Sequence, residues 1–439
     1  MVVQKYITGT TAVKIARSAE AAAASGRIAG GDRLPPVRDL AQHLGVSPAT
    51  VSAAYRILQE RGIAFAEGRR GTIIRPASPA SPPVPVTLPP HVRDLASGNP
   101  AADLLPNLTP FFRKLDGGPR LYRDELNDPD LVPLARKQFA SDGVPPGSIA
   151  VVSGALDGIE RVLREQLRPG DRVLVEDPCF TGVADLLHAL ALVPVPVQVD
   201  DEGLIPVALQ QAPTAAAIIV TPRAQNPTGA AFTERRGRQL RAILKQRTDL
   251  FIIEDDHAGP VAGAPYVTLA DSARERWAVV RSVSKSLGPD LRVAIMAGDA
   301  RTIARVEGRQ TLGIRWVSHI LQRLVVALWR DKNVHKQLAR AERMYMQRRA
   351  ALLDALQTYD IDAHGTSGLN VWIPLPEESA VIQSLFQRGW AVAAGERYRI
   401  KTPPAIRVTS ASLDSQDSHK FANDLAEVLR PPQRRAAGS

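Results

Sequence analysis

The sequence predicts an α/β protein in two parts: a small, basic, largely helical amino-terminal domain, then a large domain with a mostly parallel central sheet and a smaller carboxy-terminal α+β subdomain. Apolar strand-like runs alternate with amphipathic helical patterns over roughly 200 residues, which argues for a sheet covered on both faces. A proline-rich stretch interrupts the chain early. The 439 residues, 44% of them hydrophobic, also exceed what one core usually organises, about 250 to 300 residues.

The interruption reads RPASPASPPVPVTLPPHVR from Arg75 to Arg93. Proline has no backbone donor and favours an extended course, so residues 76–92 form a linker between an amino-terminal domain, 1–75, and a large domain, 93–316. In the large domain the strand-like runs are VVSG, RVLVED, AAAIIVT, LFIIEDD and AVVRSVS, separated by helical patterns such as GIERVLREQL and RGRQLRAILKQ. One long helical stretch from Val317 to about Tyr359 leads into short strands near Leu369–Ile373 and Ala405–Thr409, giving the subdomain 317–429. The tail, 430–439, is expected to be disordered, and no internal repeat is present.

The formal net charge is +10, and the first 75 residues hold eleven Lys and Arg against five Asp and Glu. A basic excess confined to one small domain suits contact with a phosphate backbone. Cys179 is the only cysteine, which excludes an intramolecular disulfide framework and a multi-cysteine zinc site, so no metal is expected. No apolar run approaches the ~20 residues that span a bilayer. The amino terminus lacks the unbroken apolar core of a signal peptide, and a cytoplasmic location is expected.

From Leu34 the chain reads LPPVRDLAQHLGVSPATVSAAYRILQERGIAFAEGRRGTIIRP. Leu40, Ala41 and Leu44 before Gly45, then Val46, Val51 and Leu58, fit two helices crossing at a tight turn. Ser47 can cap the second helix, and Pro48 suits its first turn because no needed donor is lost there. Pro48–Glu60 is therefore the expected recognition helix, whose first residues would face base edges. The segment resembles the winged helix-turn-helix of the GntR family. The resemblance implies DNA contacts from Arg38 on the preceding helix, from Ser47, Thr50 and Ser52, and from Arg69 and Arg70 in the wing. Pro48 stands where many members of that family have an arginine.

The strongest chemical signal is SVSKSLGPDLR, residues 282–292, which follows the strand-like WAVVR. A lysine at a strand end, flanked by hydroxyls and followed by an arginine seven residues on, can form a Schiff base while its neighbours hold a phosphate. Four further elements occur in a fixed order. SGALD, from Ser153, follows a strand and opens a helix, so its N–H groups can cradle a phosphate. EDPCF ends the next strand at Phe180, QNPTG places Asn226 after another, and FIIEDDH puts Asp255 and His257 at a buried strand end.

In this order the elements resemble the fold-type I, pyridoxal-phosphate-dependent aminotransferases over residues 92–429. With the head and linker, the chain resembles the MocR subfamily of GntR regulators. That resemblance implies pyridoxal 5′-phosphate as cofactor, Lys285 as the Schiff-base lysine, Asp255 as partner of the ring nitrogen, Asn226 near the phenolic oxygen and Phe180 stacked on the ring. Ser282, Arg292 and the turn Ser153, Gly154, Ala155 and Leu156 would hold the phosphate, Tyr122 would reach the phosphate of a neighbouring subunit, and Arg407 would grip an amino-acid carboxylate. Two positions depart from the pattern. His257 replaces a tyrosine that faces the phenolic oxygen, so a charge titrating nearer neutrality is expected there. Gly182 stands where some relatives carry a second carboxylate-binding arginine. The resemblance further implies a homodimer on paired DNA half-sites, with the head of one chain near the large domain of the other, and a faint likeness to vitamin B6 salvage regulators. An active aminotransferase with an accessory DNA-binding domain is the alternative from another class, distinguished by multiple turnovers with a 2-oxoacid.

Overall fold

The computed structural model describes residues 3–25, 27–60, 63–66, 71–74, 87–115 and 118–430. The chain divides into two compact units, an amino-terminal one and a larger one built on the central sheet.

In the amino-terminal unit the first helix, Ala12–Ala24, starts where the Thr11 side chain accepts the Lys14 N–H. Its Ile15, Ala16, Ala19 and Ala22 are all fully buried, and this spacing places them on one face against Leu40, Val51, Ala54 and Leu58. The second helix, Val37–Leu44, stops at Gly45, whose φ of 64° lies in the left-handed region that a side chain resists. The recognition helix spans Pro48–Glu60, as the sequence predicts. Tyr55 buries its ring and donates its hydroxyl to the Pro35 carbonyl at 2.7 Å, tying that helix to the turn before the second one. The strands Ala64–Ala66 and Thr72–Ile74 pair antiparallel to form the wing, and Arg33 adds a bridge to Ile73.

In the larger unit, eight strands run in the order Ser148–Val152, Ala294–Gly298, Trp277–Ser282, Phe251–Asp256, Ala217–Val220, Arg172–Asp177, Val193–Asp200 and Gly203–Leu204. The third to sixth of these are mutually parallel, while Ala294–Gly298 is antiparallel to both neighbours. Phe251–Asp256 and Trp277–Ser282 are buried at every position, as expected for strands covered on both faces. The burial carries a charge problem that a network solves. Asp256 accepts from Arg223 at 2.9 and 3.0 Å and from Arg281 at 2.5 Å, and Arg281 also meets Asp142 at 2.6 Å. Burial alone would raise the Asp256 carboxyl, but the two guanidiniums hold it well below the usual range.

The stretch 317–359 is two helices rather than one, His319–Arg330 and Lys332–Gln357. Asp331 breaks it: its extended backbone and a carboxylate that accepts the Asn333 and Val334 N–H groups restart the helix. In the small subdomain Asn370–Pro374 pairs antiparallel with Ala405–Thr409, which also pairs with Ala393–Ala394. Arg93–Asp94 lies parallel to Trp390–Ala391, and this pairing carries the following residues, 96–98, toward the ends of the large-sheet strands. Among the described residues no helix is long and apolar enough to cross a membrane. The tail 431–439 and the part of the linker at 75–86 lie outside the described residues.

Candidate functional site

The strand Phe251–Asp256 delivers Asp255 to a site where it is 4% exposed and its Oδ1 has no hydrogen-bond partner. Burial, and then the Asp256 charge beside it, push the Asp255 carboxyl up to about 7. A buried carboxylate without a donor costs about 1–3 kcal/mol or more, so the position is suited to a cationic N–H that is brought in from outside. Next along the chain, His257 places Nε2 2.8 Å from the Ala224 carbonyl oxygen. Because a carbonyl can only accept, Nε2 carries the proton. Burial and then the nearby Lys285 charge push this imidazole down to about 4. The sequence-based expectation of a charge near neutrality is thereby corrected: the ring is neutral and its one N–H is committed to the backbone.

Lys285 lies in the short turn of helix after Trp277–Ser282, and its Nζ donates to the Gly98 carbonyl at 2.6 Å. Burial, then Arg407, push its ammonium down to about 8. Asn226 accepts at Oδ1 from Arg407 Nη1 at 3.2 Å, with Asn370 Nδ2 at 3.5 Å, which turns its own NH2 group outward as a donor. Arg407 is 3% exposed, stacks 5.1 Å over the Tyr398 ring, and gives Nη2 to the Ala96 carbonyl, while its Nε has no partner. Neither Gly98 nor Ala96 is marked by any sequence motif. They enter through the Arg93–Asp94 strand pairing, which local patterns do not reveal.

On the other side, Gly154 has a φ of 110°, and a Cβ there would sit 2.8 Å from Arg292 Nη2. The absence of a side chain leaves a cradle between the Arg292 guanidinium and the start of the helix Ala155–Gln166, whose first N–H groups lack helical acceptors. The Ser153 N–H is an exception, since the Asp157 carboxylate takes it at 2.9 Å. Ser282 is buried, and its hydroxyl lies 3.0 Å from that of Ser284. Phe180 follows the strand Arg172–Asp177, and Gly182 lies against it: a Cβ at Gly182 would meet the Phe180 ring at 2.7 Å and Leu156 Cδ1 at 2.9 Å. A side chain at that position would require the Phe180 and Leu156 side chains to shift.

An anion cradle, an aromatic face, an amide donor, an orphaned carboxylate and a lysine of lowered basicity fit a pyridoxal phosphate. Tyr122 is not drawn into this group. It is 75% exposed, with its ring 5.9 Å from Trp316 and Arg315 stacked on it at 5.3 Å. In the amino-terminal unit Arg38, Ser47 and Ser52 are exposed and Thr50 is half-buried. Ser47 accepts the Thr50 N–H at 3.1 Å, and the two hydroxyls lie 2.8 Å apart, so both are occupied in capping the helix. Arg69 and Arg70 lie outside the described residues.

Fold and site together define an aminotransferase-like domain that carries a bacterial DNA-reading head. Residues 127–425 match the family model for aminotransferase class I and II, and residues 11–74 match that of the bacterial regulatory proteins of the gntR family. The chain belongs to the MocR subfamily of GntR-type transcription regulators. It is 38% identical to the vitamin B6 salvage pathway transcriptional repressor PtsJ of Salmonella typhimurium, over 96% of this chain and 99% of that one. It is also 27% identical to the pyridoxine biosynthesis transcriptional regulator PdxR of Corynebacterium glutamicum, over 76% of each chain. Among solved structures the kynurenine aminotransferase of Pyrococcus horikoshii shares the fold, with a TM-score of 0.70 at 22% identity over 77% of this chain and 91% of that one.

Proposed function

We propose that this protein is a transcription regulator whose DNA binding responds to pyridoxal phosphate, and that it controls genes of vitamin B6 metabolism. The observation that carries the reading is the presence in one chain of a winged reading head and of a buried site whose Asp255 lacks the donor a pyridinium would supply. When bound, the cofactor supplies an aldehyde that condenses with an amine and a ring that withdraws electrons. Lys285, whose lowered basicity favours the neutral amine, would supply the amine that holds the cofactor. Asp255 would face the ring nitrogen, Asn226 would donate to the phenolic oxygen and Phe180 would cover the ring. Arg292, Ser282 and the backbone N–H groups of Gly154, Ala155 and Leu156 would hold the phosphate, the Ser153 N–H being taken by Asp157.

One observation favours the cofactor itself, rather than an amino acid, as the signal: position 182 is a glycine and supplies no second carboxylate anchor beside Arg407. A homodimer is supported by the exposed apolar side chains of Leu121, Tyr122, Leu312 and Ile314, with the Tyr122 ring 5.9 Å from that of Trp316. Tyr122 lies within this surface, where it is able to serve a partner's phosphate site.

The test is a fluorescence-anisotropy titration against DNA from upstream of the protein's own gene, at fixed salt, with and without pyridoxal phosphate. Specific binding that shifts with the cofactor is expected. Weak, sequence-indifferent binding unmoved by cofactor, together with repeated turnover of a 2-oxoacid, would replace this reading with that of an enzyme.

A further inference from the structure

The helix Ala300–Thr311 of the larger unit carries Arg301, Arg305 and Arg309, all exposed. Their spacing of four residues sets them along one face over about 12 Å. Other arginines on this unit are neutralised nearby: Arg161 by Asp157 at 3.0 Å, Arg164 by Glu160 at 2.8 Å and Arg235 by Glu202 at 2.9 Å. The three on this helix have no such partner among the described residues. Its one acid, Glu307, is turned inward and accepts from Asn127 at 2.7 Å. The capping carboxylate of Asp299 is taken by the Thr302 and Trp277 N–H groups. Between the arginines stand Ala304 and Gly308, small and exposed, so a rigid polyanion can lie close along the row. Like charges four residues apart weaken a helix, so the row does not serve folding.

We propose that this arginine row is a second DNA surface, which takes the sugar-phosphate backbone of duplex flanking the half-sites read by Pro48–Glu60. The proposal rests on the DNA-binding reading above and adds a contact that carries no sequence information. Exposed guanidiniums on flexible stems, without an acceptor or aromatic side chain between them, match phosphates rather than base edges.

The experiment compares full-length protein with the variant Arg301→Ala, Arg305→Ala, Arg309→Ala on two duplexes. One just spans the paired half-sites, and the other extends about 30 base pairs further on each side. Each neutralised phosphate contributes about 0.9 to the slope of log affinity against log salt concentration. The triple variant is expected to lose about two to three from the slope on the long duplex and to keep the wild-type slope on the short one. Arg305→Ala alone should lose about 0.9. Alanine is the best helix former, so the helix persists in both variants. Identical slopes for wild type and triple variant on the long duplex would overturn the proposal, as would an equal loss on both duplexes. Wild-type protein that fails to bind even the short duplex would instead overturn the DNA-binding reading itself.

Discussion

Arg38 and Ser52 stand in solvent on two short helices, whereas Asp255 and Arg407 are 4% and 3% exposed, with Asp255 Oδ1 and Arg407 Nε lacking any partner. The head buries only small and medium apolar side chains, among them Ala16, Ala19, Leu40 and Val51, together with Tyr55, whose hydroxyl is satisfied. Among its described residues no buried side-chain polar atom lacks a hydrogen-bond partner. The larger unit holds its functional groups out of water at a cost, part of which a bound cofactor can remove. A ligand changes a protein most where it relieves such a cost, so the response to a small molecule belongs to the larger unit and the reading of DNA to the head.

Lys285→Ala separates the two roles most sharply. It should abolish the yellow colour of the loaded protein and its response to cofactor while DNA binding without cofactor stays measurable, as checked by absorbance and anisotropy. Persistent covalent attachment would remove Lys285 from its role. Asp255→Asn should weaken cofactor binding about 10- to 100-fold, the range expected for losing one charged hydrogen bond, measured by equilibrium titration. It should also alter the pH dependence of stability. The folded Asp255 carboxyl titrates near 7, above its ordinary 3.8. Between those values folding takes up a proton, and stability falls as pH rises through the window. The variant should flatten that fall in thermal melts without removing it, because burial also raises Glu176, to about 8. Since Lys285 titrates near 8, the rate of cofactor attachment should climb about tenfold per pH unit below 7 and level off above 8, by stopped-flow absorbance.

Smaller effects are expected in the head. Arg38→Ala should lower the salt slope of DNA binding by about one and leave the cofactor spectrum untouched. Ser47→Ala removes the cap of the recognition helix and should cost about 1 kcal/mol in denaturant unfolding of the head. A change in cofactor affinity from either substitution would break the division of labour between the units.

The recognition helix was legible to its ends because its signals are local: Gly45 stops one helix, Ser47 and Pro48 start the next, and apolar residues recur along one face. The parallel strands were legible as well, since burial on both faces leaves continuous apolar runs such as AIIV at Ala217–Val220. The antiparallel Ala294–Gly298 was not, because AIMAG is too short and too poor in β-branched residues to stand apart from its surroundings. The break at Asp331 was hidden by helical patterns on both sides. In the site, Lys285, Asp255 and Asn226 could be named from motifs, whereas Gly98, Ala96 and Asn370 could not. Gly98 and Ala96 depend on the pairing of Arg93–Asp94 with Trp390–Ala391, some 300 residues along the chain, and Asn370 on the pairing of its strand with Ala405–Thr409. The lowered basicity of His257 was likewise out of reach, since it comes from burial and from the nearby Lys285, which is 28 residues along the chain.

Gly182 places a constraint on the history open to this protein. A side chain acquired there would meet the Phe180 ring and the tip of Leu156, both of which would have to shift. Position 182 is thus coupled to the placement of Phe180, and any gain of a side chain there would be felt at that ring.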